Sequence, residues 1–555
     1  MTAAARTSAD DATWTKPGPG TWELDASHCG PAPGPIQRGL YEHCLETGMT
    51  DGFAMFGAPL RTMTMRCVNG KFYRRLVPLI GGDKDMRPPP AAALWLATRL
   101  HPAFRRAERL AKESFATKRW RAELARWESE WKPELVKANL RFTDVDVSAL
   151  DDAAFVEHLT ELHAHLLEST ALHFRLHVSD MGPLGDLMVK LEDWGLHRDD
   201  TFRALVAASP ATREPAVQLA AIAGALRAAG VDPAAITSLD DVRAVPAASD
   251  ALDEYLRFHG WRLTTGYDVE DRFLLELPDV IAASIRGARS AAPDDTEAAL
   301  ASIAALREEV PPAHRAELDE AIEDARLSYG LRDENGPLTY EWPAGLLRRA
   351  ILDAGRRLHG AGRLASEADV FELSVDEICS LLTTGAGPDL AEIEGRAAER
   401  RRWATMDAPA RLGPEEAPPP VSAMPPNLAR ITRIVLTVVD TLEADLDQAS
   451  LHGMGIGTEP YTGTARVVHD AAEALATMEP GDIVVAPYTA PTYNTVLAMA
   501  GAIVTEEGGL LCHAAVIARE LGIPAVIGAG DAMSAIPDGA TIEVDPASGA
   551  VRVLA

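Results

Sequence analysis

Gly508-Gly509-Leu510-Leu511-Cys512-His513-Ala514-Ala515-Val516-Ile517-Ala518-Arg519-Glu520-Leu521-Gly522-Ile523-Pro524-Ala525-Val526 decides how the rest of the chain is read. Two glycines make a turn and one histidine follows. A helix then runs until Gly522-Ile523-Pro524 stops it ahead of a buried apolar strand. A histidine at a helix N-terminus sits where unpaired backbone N–H groups and the positive end of the dipole favour a phosphate. The same field disfavours the imidazolium, which keeps the ring neutral and nucleophilic near pH 7. His513 therefore reads as a phosphoryl carrier, with Gly508, Gly509 and Thr505 as the groups that would hold the phosphate. The plainer alternative is a histidine that only caps its helix.

Around this stretch lie Gly463-Thr464-Ala465-Arg466-Val467, Gly481-Asp482-Ile483-Val484-Val485 and Thr489 before it, and Pro537-Asp538-Gly539 and Asp545-Pro546 after it. In that order they resemble the swivelling phosphohistidine domain of the phosphoenolpyruvate-utilising enzymes. That family includes phosphoenolpyruvate synthases, pyruvate phosphate dikinases, rifampin phosphotransferases and two-component synthases that phosphorylate phenols. Short Val/Ile-rich strands alternating with helices beyond His452-Gly453 predict a compact α/β domain over residues 451–555, which the resemblance implies is the swivelling one. Cys512 beside His513 is expected to pack and not to act as a thiolate, since the resembling phosphoenolpyruvate synthase also has a cysteine at that place.

The chain has 555 residues, with 53 basic and 82 acidic side chains and a formal net charge of -29. That balance argues against nucleic acid or an anionic membrane as a partner. No stretch approaches the roughly 18 apolar residues of a membrane span. Residues 1–20 lack an apolar signal core and read as a disordered tail, so a cytoplasmic protein is expected. Five cysteines, Cys29, Cys44, Cys67, Cys379 and Cys512, lack metal spacing and read as reduced thiols.

Between the tail and the α/β domain, residues 21–405 are mostly helical by their 3.6-residue apolar spacing. Near the start, strand-like Arg61–Arg66 and Lys71–Val77 flank Asn69-Gly70, a hairpin signal, after a short helix near Gly39–Thr47. Helices are predicted at Asp151–Arg175 and Gly182–Trp194, at Ala313–Leu331 and at Pro343–Gly360. Residues 406–450 form a Pro-rich linker and a hinge helix; about 20 extended residues reach at most roughly 70 Å. The fold class is therefore multidomain: a large, mainly α-helical acceptor-binding domain with a small β-containing N-terminal part, then a C-terminal α/β domain.

Tyr329-Gly330-Leu331-Arg332-Asp333-Glu334-Asn335, Leu346-Leu347-Arg348-Arg349 and Ala368-Asp369-Val370-Phe371-Glu372-Leu373 resemble the acceptor-binding domain of rifampin phosphotransferases, as does Trp22 to Pro35. Phosphoryl transfer is largely positioning and neutralisation of three equatorial oxygens, which suits the guanidinium fork. The resemblance assigns that task to Arg332, for which a structural ion pair is the alternative. The family often carries another basic residue one turn later; here Gly336-Pro337 follows, which suggests a different acceptor pocket or a basic residue from elsewhere, such as Arg326. Asp333, Glu334 and His28 are candidate acids or bases, and His259 and Asp268 candidate substrate contacts. His163, His165, His173 and His177 invite a metal reading, but no further ligands complete a set, and no metal is assigned.

In the resembling family an ATP-grasp domain loads the histidine from the β-phosphate of ATP at Mg²⁺. Only about 20 residues precede the acceptor domain, so the expected nucleotide site lies on a separate ATP-grasp subunit. The expected reaction passes the phosphoryl group to a small aromatic alcohol, phenol or a 4-alkylphenol in aromatic degradation, giving aryl phosphate, AMP and phosphate. A rifamycin-type acceptor and a non-enzymatic phosphocarrier are the alternatives.

Overall fold

The computed structural model describes residues 14–25, 32–85, 89–205, 208–288, 296–414, 417–443, 451–457, 459–489, 493–509 and 512–554. Two units make up the molecule, a large helical one and a C-terminal α/β one. The N-terminal β part is a four-stranded antiparallel sheet of β1 (Trp22–Asp25), β2 (Leu60–Val68), β3 (Lys71–Pro78) and β4 (Arg411–Leu412), in the order β2-β3-β1-β4. Its hairpin turns where the sequence says it should: Asn69 and Gly70 both have positive φ, 47° and 72°, as a two-residue primed turn requires.

Helix α1 runs from Pro35 to Phe56, beyond both ends of the predicted Gly39–Thr47 segment. Gly48 and Gly52 look like helix breakers but serve close packing instead. A Cβ on Gly48 would lie 2.2 Å from the Ala171 carbonyl oxygen, and one on Gly52 would lie 2.8 Å from Val178 Cγ2. Both neighbours belong to α2 (Asp152–Asp193), a single 42-residue helix where the sequence predicts two. Pro183 lies inside it; the helix continues because its far half is held on both sides, Gly185 meeting Ile434 and Val438, and Leu184, Leu187 and Met188 entering a buried cluster. Helix α3 (Pro210–Ala228) follows, and then α4 (Arg315–Gly336). The latter carries Arg332 and Asp333 within the helix, past the predicted end at Leu331, and passes through a π-turn at Pro337–Glu341 into Trp342–Gly360. Widened turns of this kind often mark functional sites.

Two expected boundaries move. Residues 14–20, read as tail, lie on the sheet: Trp14 meets Tyr73 edge-on at 6.1 Å, and Lys16 pairs with Asp85 at 2.7 Å. The Pro-rich stretch also belongs to the large helical unit over much of its length. Leu412 pairs with Trp22, Tyr73 donates to the Pro409 carbonyl at 2.9 Å, and α5 (Pro426–Glu443) ties Arg430 to Asp186 at 2.6 Å. Proline there removes donors that a central strand would need, yet leaves carbonyls that side chains can reach. Residues 444–450, the rest of the expected hinge, lie outside the described residues.

The C-terminal unit is a seven-stranded sheet of β5 (Met454–Ile456), β6 (Tyr461–Val467), β7 (Ile483–Ala486), β8 (Ala502–Thr505), β9 (Ala525–Ile527), β10 (Thr541–Asp545) and β11 (Ala550–Val553). Its order is β11-β10-β6-β7-β8-β9-β5, with β6 to β9 parallel and the flanking pairs antiparallel. The β7 and β8 runs are wholly buried, as parallel strands covered on both faces are. Two helices matter for the site, α6 (Asn494–Leu497) and α7 (His513–Leu521). No helix among the described residues is long and apolar enough to cross a membrane.

Candidate active site at the junction of the two units

The turn after β8 places His513 as the first residue of α7, with Cys512 in extended backbone as its N-cap and Gly522 closing the helix at φ 64°. Both ring nitrogens are engaged. The Thr489 hydroxyl lies 2.9 Å from Nδ1, and Asn494 Oδ1 lies 2.7 Å from Nε2. As placed, Asn494 accepts from Nε2–H and Thr489 donates to Nδ1, so the ring is a neutral tautomer with a lone pair at Nδ1. Burial, helped by the charge of Arg332, pushes the His513 pKa down to about 3. A neutral imidazole is the form that can accept a phosphoryl group.

Arg332 comes from the other unit, and both residues line one cavity of about 970 Å³. Its walls are largely apolar, with Met49, Phe53, Met63 and Met65 from α1 and β2 and Ile434 and Val438 from α5. Asp333 and His259 line it too. Asp333 accepts from the Thr212 hydroxyl at 2.5 Å, and burial raises its pKa. His259 pairs through Nε2 with Gln218 Oε1 at 2.9 Å and stacks on Tyr255, while burial and then Arg262 lower its pKa. Gly508 reaches the lining; Gly509 and Thr505 are buried behind it.

Three expected contacts fall elsewhere. Glu334 points away from the cavity, taking Lys132 as an ion-pair partner and accepting from Trp127 Nε1 at 2.6 Å. Successive helical residues point about 100° apart, so Asp333 and Glu334 cannot share a face. Asp268 is buried in its own loop, where Oδ1 accepts from the Glu270 amide at 3.1 Å. Arg326 donates to the Ala204 carbonyl at 2.6 Å and is absent from the lining. His28 lies outside the described residues. Among those described, no group of three or more His, Cys, Asp or Glu side chains is placed to hold a metal ion.

One face of α7 docks on the large helical unit. Val516 enters a cluster with Leu184, Phe202 and Tyr329, and the Arg519 guanidinium lies 4.9 Å from the Phe202 ring centroid. Glu520 Oε1 accepts from the backbone N–H groups of Ala208 and Ser209, at 3.1 and 3.3 Å, where α3 begins. Burial and the neighbouring charge of Asp333 raise the Glu520 pKa to about 7. Nothing in the sequence marks this contact, because its partners are some 300 residues away.

Residues 478–549 match the family model described as PEP-utilising enzyme, mobile domain. The C-terminal unit carries the PEP-utilising mobile domain over these residues. The 97-residue match to phosphoenolpyruvate synthase of Escherichia coli is 46% identical, covering 18% of this chain and 12% of that protein. Similarity extends well past the mobile domain in two other relatives. A rifampicin phosphotransferase of Streptomyces sviceus is 28% identical over 427 residues, 72% of this chain and 46% of its own. A chondramide synthase of Chondromyces crocatus is 25% identical over 567 residues, 96% of this chain and 14% of its own. The chain thus spans less than half the length of each of these relatives.

Proposed function

We propose that the chain is the carrier and acceptor part of an ATP-dependent phosphotransferase. His513 takes the β-phosphoryl group of ATP at a separate ATP-grasp subunit and passes it to a hydroxyl compound in the cavity, with AMP and phosphate as co-products. The observation that supports this most directly is one cavity lined both by the carrier histidine and by Arg332 of the acceptor unit. A carrier that only relayed phosphate to another protein would have no use for such a chamber. ATP and Mg²⁺ are assigned mainly to the donor subunit.

Transfer asks for little covalent chemistry from the chain. The apolar walls seat the acceptor and exclude water, and Arg332 neutralises charge on the phosphoryl oxygens. Thr489 and Asn494 hold the imidazole plane. About 150 Å³ suffices for a benzene ring in an apolar cavity, so a chamber of about 970 Å³ favours a drug-sized, mainly apolar molecule bearing a phenolic or alcoholic hydroxyl. The name of the rifampicin phosphotransferase relative points the same way. Phenol or a 4-alkylphenol suits the chemistry, with a hydroxyl pKa of about 10, but leaves most of the chamber unfilled.

The test combines the chain, the ATP-grasp partner, Mg²⁺ and β-labelled ATP with phenol, 4-alkylphenols and a rifamycin. Label is expected on His513 without acceptor, then on the acceptor when one is added. Label that stays on His513 whatever hydroxyl compound is supplied would sink the reading, and so would labelling that survives His513→Ala.

A further inference from the structure

Two histidines line the cavity with no role assigned so far. His173 and His177 lie one turn apart on α2, their rings edge to face at 4.5 Å. His177 Nδ1 is 3.2 Å from Asp180 Oδ2. The Asp180 side chain is fully buried, and its other oxygen has no hydrogen-bond partner among the described residues. A carboxylate desolvated in this way favours an N–H at the nitrogen facing it, which leaves the lone pair of the ring at Nε2. His177 keeps about a fifth of its side chain accessible, 22%. The pattern is that of a base oriented by a carboxylate behind it.

His173 is held from the other side. Its Nδ1 pairs with Asn335 Oδ1, on α4 three residues after Arg332. Its Cε1 stands 3.8 Å from where a Cβ on Gly336 would be. Gly336 is the position, one turn beyond Arg332, at which the acceptor-domain resemblance leads one to expect a basic side chain. Here the imidazole of His173 stands beside that place, delivered by α2. Asp333, next to Arg332 in sequence, lines the same cavity as His173 and His177.

We propose that His177, oriented by Asp180, takes the proton of the acceptor hydroxyl, and that His173 is a positioning residue between this pair and Arg332. The assignment rests on the phosphotransferase reading. In the step, the acceptor O–H proton moves to His177 Nε2 and the oxygen forms its bond to phosphorus. The N–P bond to His513 breaks with its electron pair returning to that nitrogen, which leaves neutral imidazole protonated at the other nitrogen. The proton on His177 then returns to solvent.

The test loads His513 in the full chain with the ATP-grasp partner and chases with phenol or with the more acidic 4-nitrophenol. His177→Asn is expected to load normally and to transfer to phenol about 10²–10⁴-fold more slowly, the usual worth of a positioned base. Transfer to 4-nitrophenol, already ionised near neutral pH, should change far less. Asp180→Asn should show the same acceptor-dependent pattern with a smaller loss, and it serves as the second variant if His177→Asn does not fold. Equal loss on both phenols, or undiminished transfer to phenol, overturns the base assignment alone. A wild-type chain that loads but transfers to neither phenol nor a rifamycin overturns the phosphotransferase reading as well.

Discussion

His513 lines the cavity with both ring nitrogens engaged by its own unit, so the proposed phosphorylation at either nitrogen would displace Thr489 or Asn494. Arg332 belongs to the other unit, and its charge matters only once the carrier has docked. Arg332→Ala is therefore expected to leave labelling of His513 intact and to slow transfer about 10²–10³-fold, the cost of removing one preorganised charge stabiliser. Separate loading and chase measurements check this; loss of loading would show that Arg332 acts elsewhere. The turn and helix around His513 could be read from sequence because they lie in one contiguous stretch. The cavity could not. His173 and His177 recur at the i,i+4 spacing of any buried helix face, and Glu334 matched the same motif as Asp333 while pointing the other way.

Helices α1 and α2 approach closely because Gly48 and Gly52 leave room for the α2 backbone. Gly48→Ala puts a methyl group 2.2 Å from the Ala171 carbonyl oxygen. Such overpacking costs about 1–3 kcal/mol, and a lower melting temperature for the acceptor unit is the expected readout. Sequence reading ended α1 early for the same reason: a glycine that permits packing and one that ends a helix look alike without the partner. On α7, Glu520 carries a second element-scale prediction. Docked, its carboxyl is raised from an ordinary 4.5 to about 7, chiefly by burial, and release into water would return it toward the ordinary value. Docking therefore takes up protons between those values; it is favoured as pH falls and weakest above pH 7. Glu520→Gln should flatten that dependence while its amide oxygen still accepts from Ala208 and Ser209. Glu520→Ala leaves both N–H groups unpaired and should weaken docking by about 1–3 kcal/mol. A fluorescence pair spanning the two units reads both effects.

At the scale of the whole molecule, the two-unit plan follows from the change of hydrophobic period near residue 451, but the way the units meet does not. The docking face of α7 is apolar at Val516 and charged at Arg519 and Glu520, a mixture that suits a free surface as well as a contact. That single face has a kinetic consequence. Under the proposed function, a carrier seated by Val516, Arg519 and Glu520 over the cavity cannot also present His513 to a nucleotide site. Loading and unloading must therefore alternate, and steady-state rates should follow a ping-pong pattern, with parallel double-reciprocal lines for ATP against acceptor. An acceptor that fills the chamber and holds the unloaded carrier down should compete with ATP, so turnover should fall at high acceptor concentration. Intersecting lines would mean that both substrates reach the carrier in one complex.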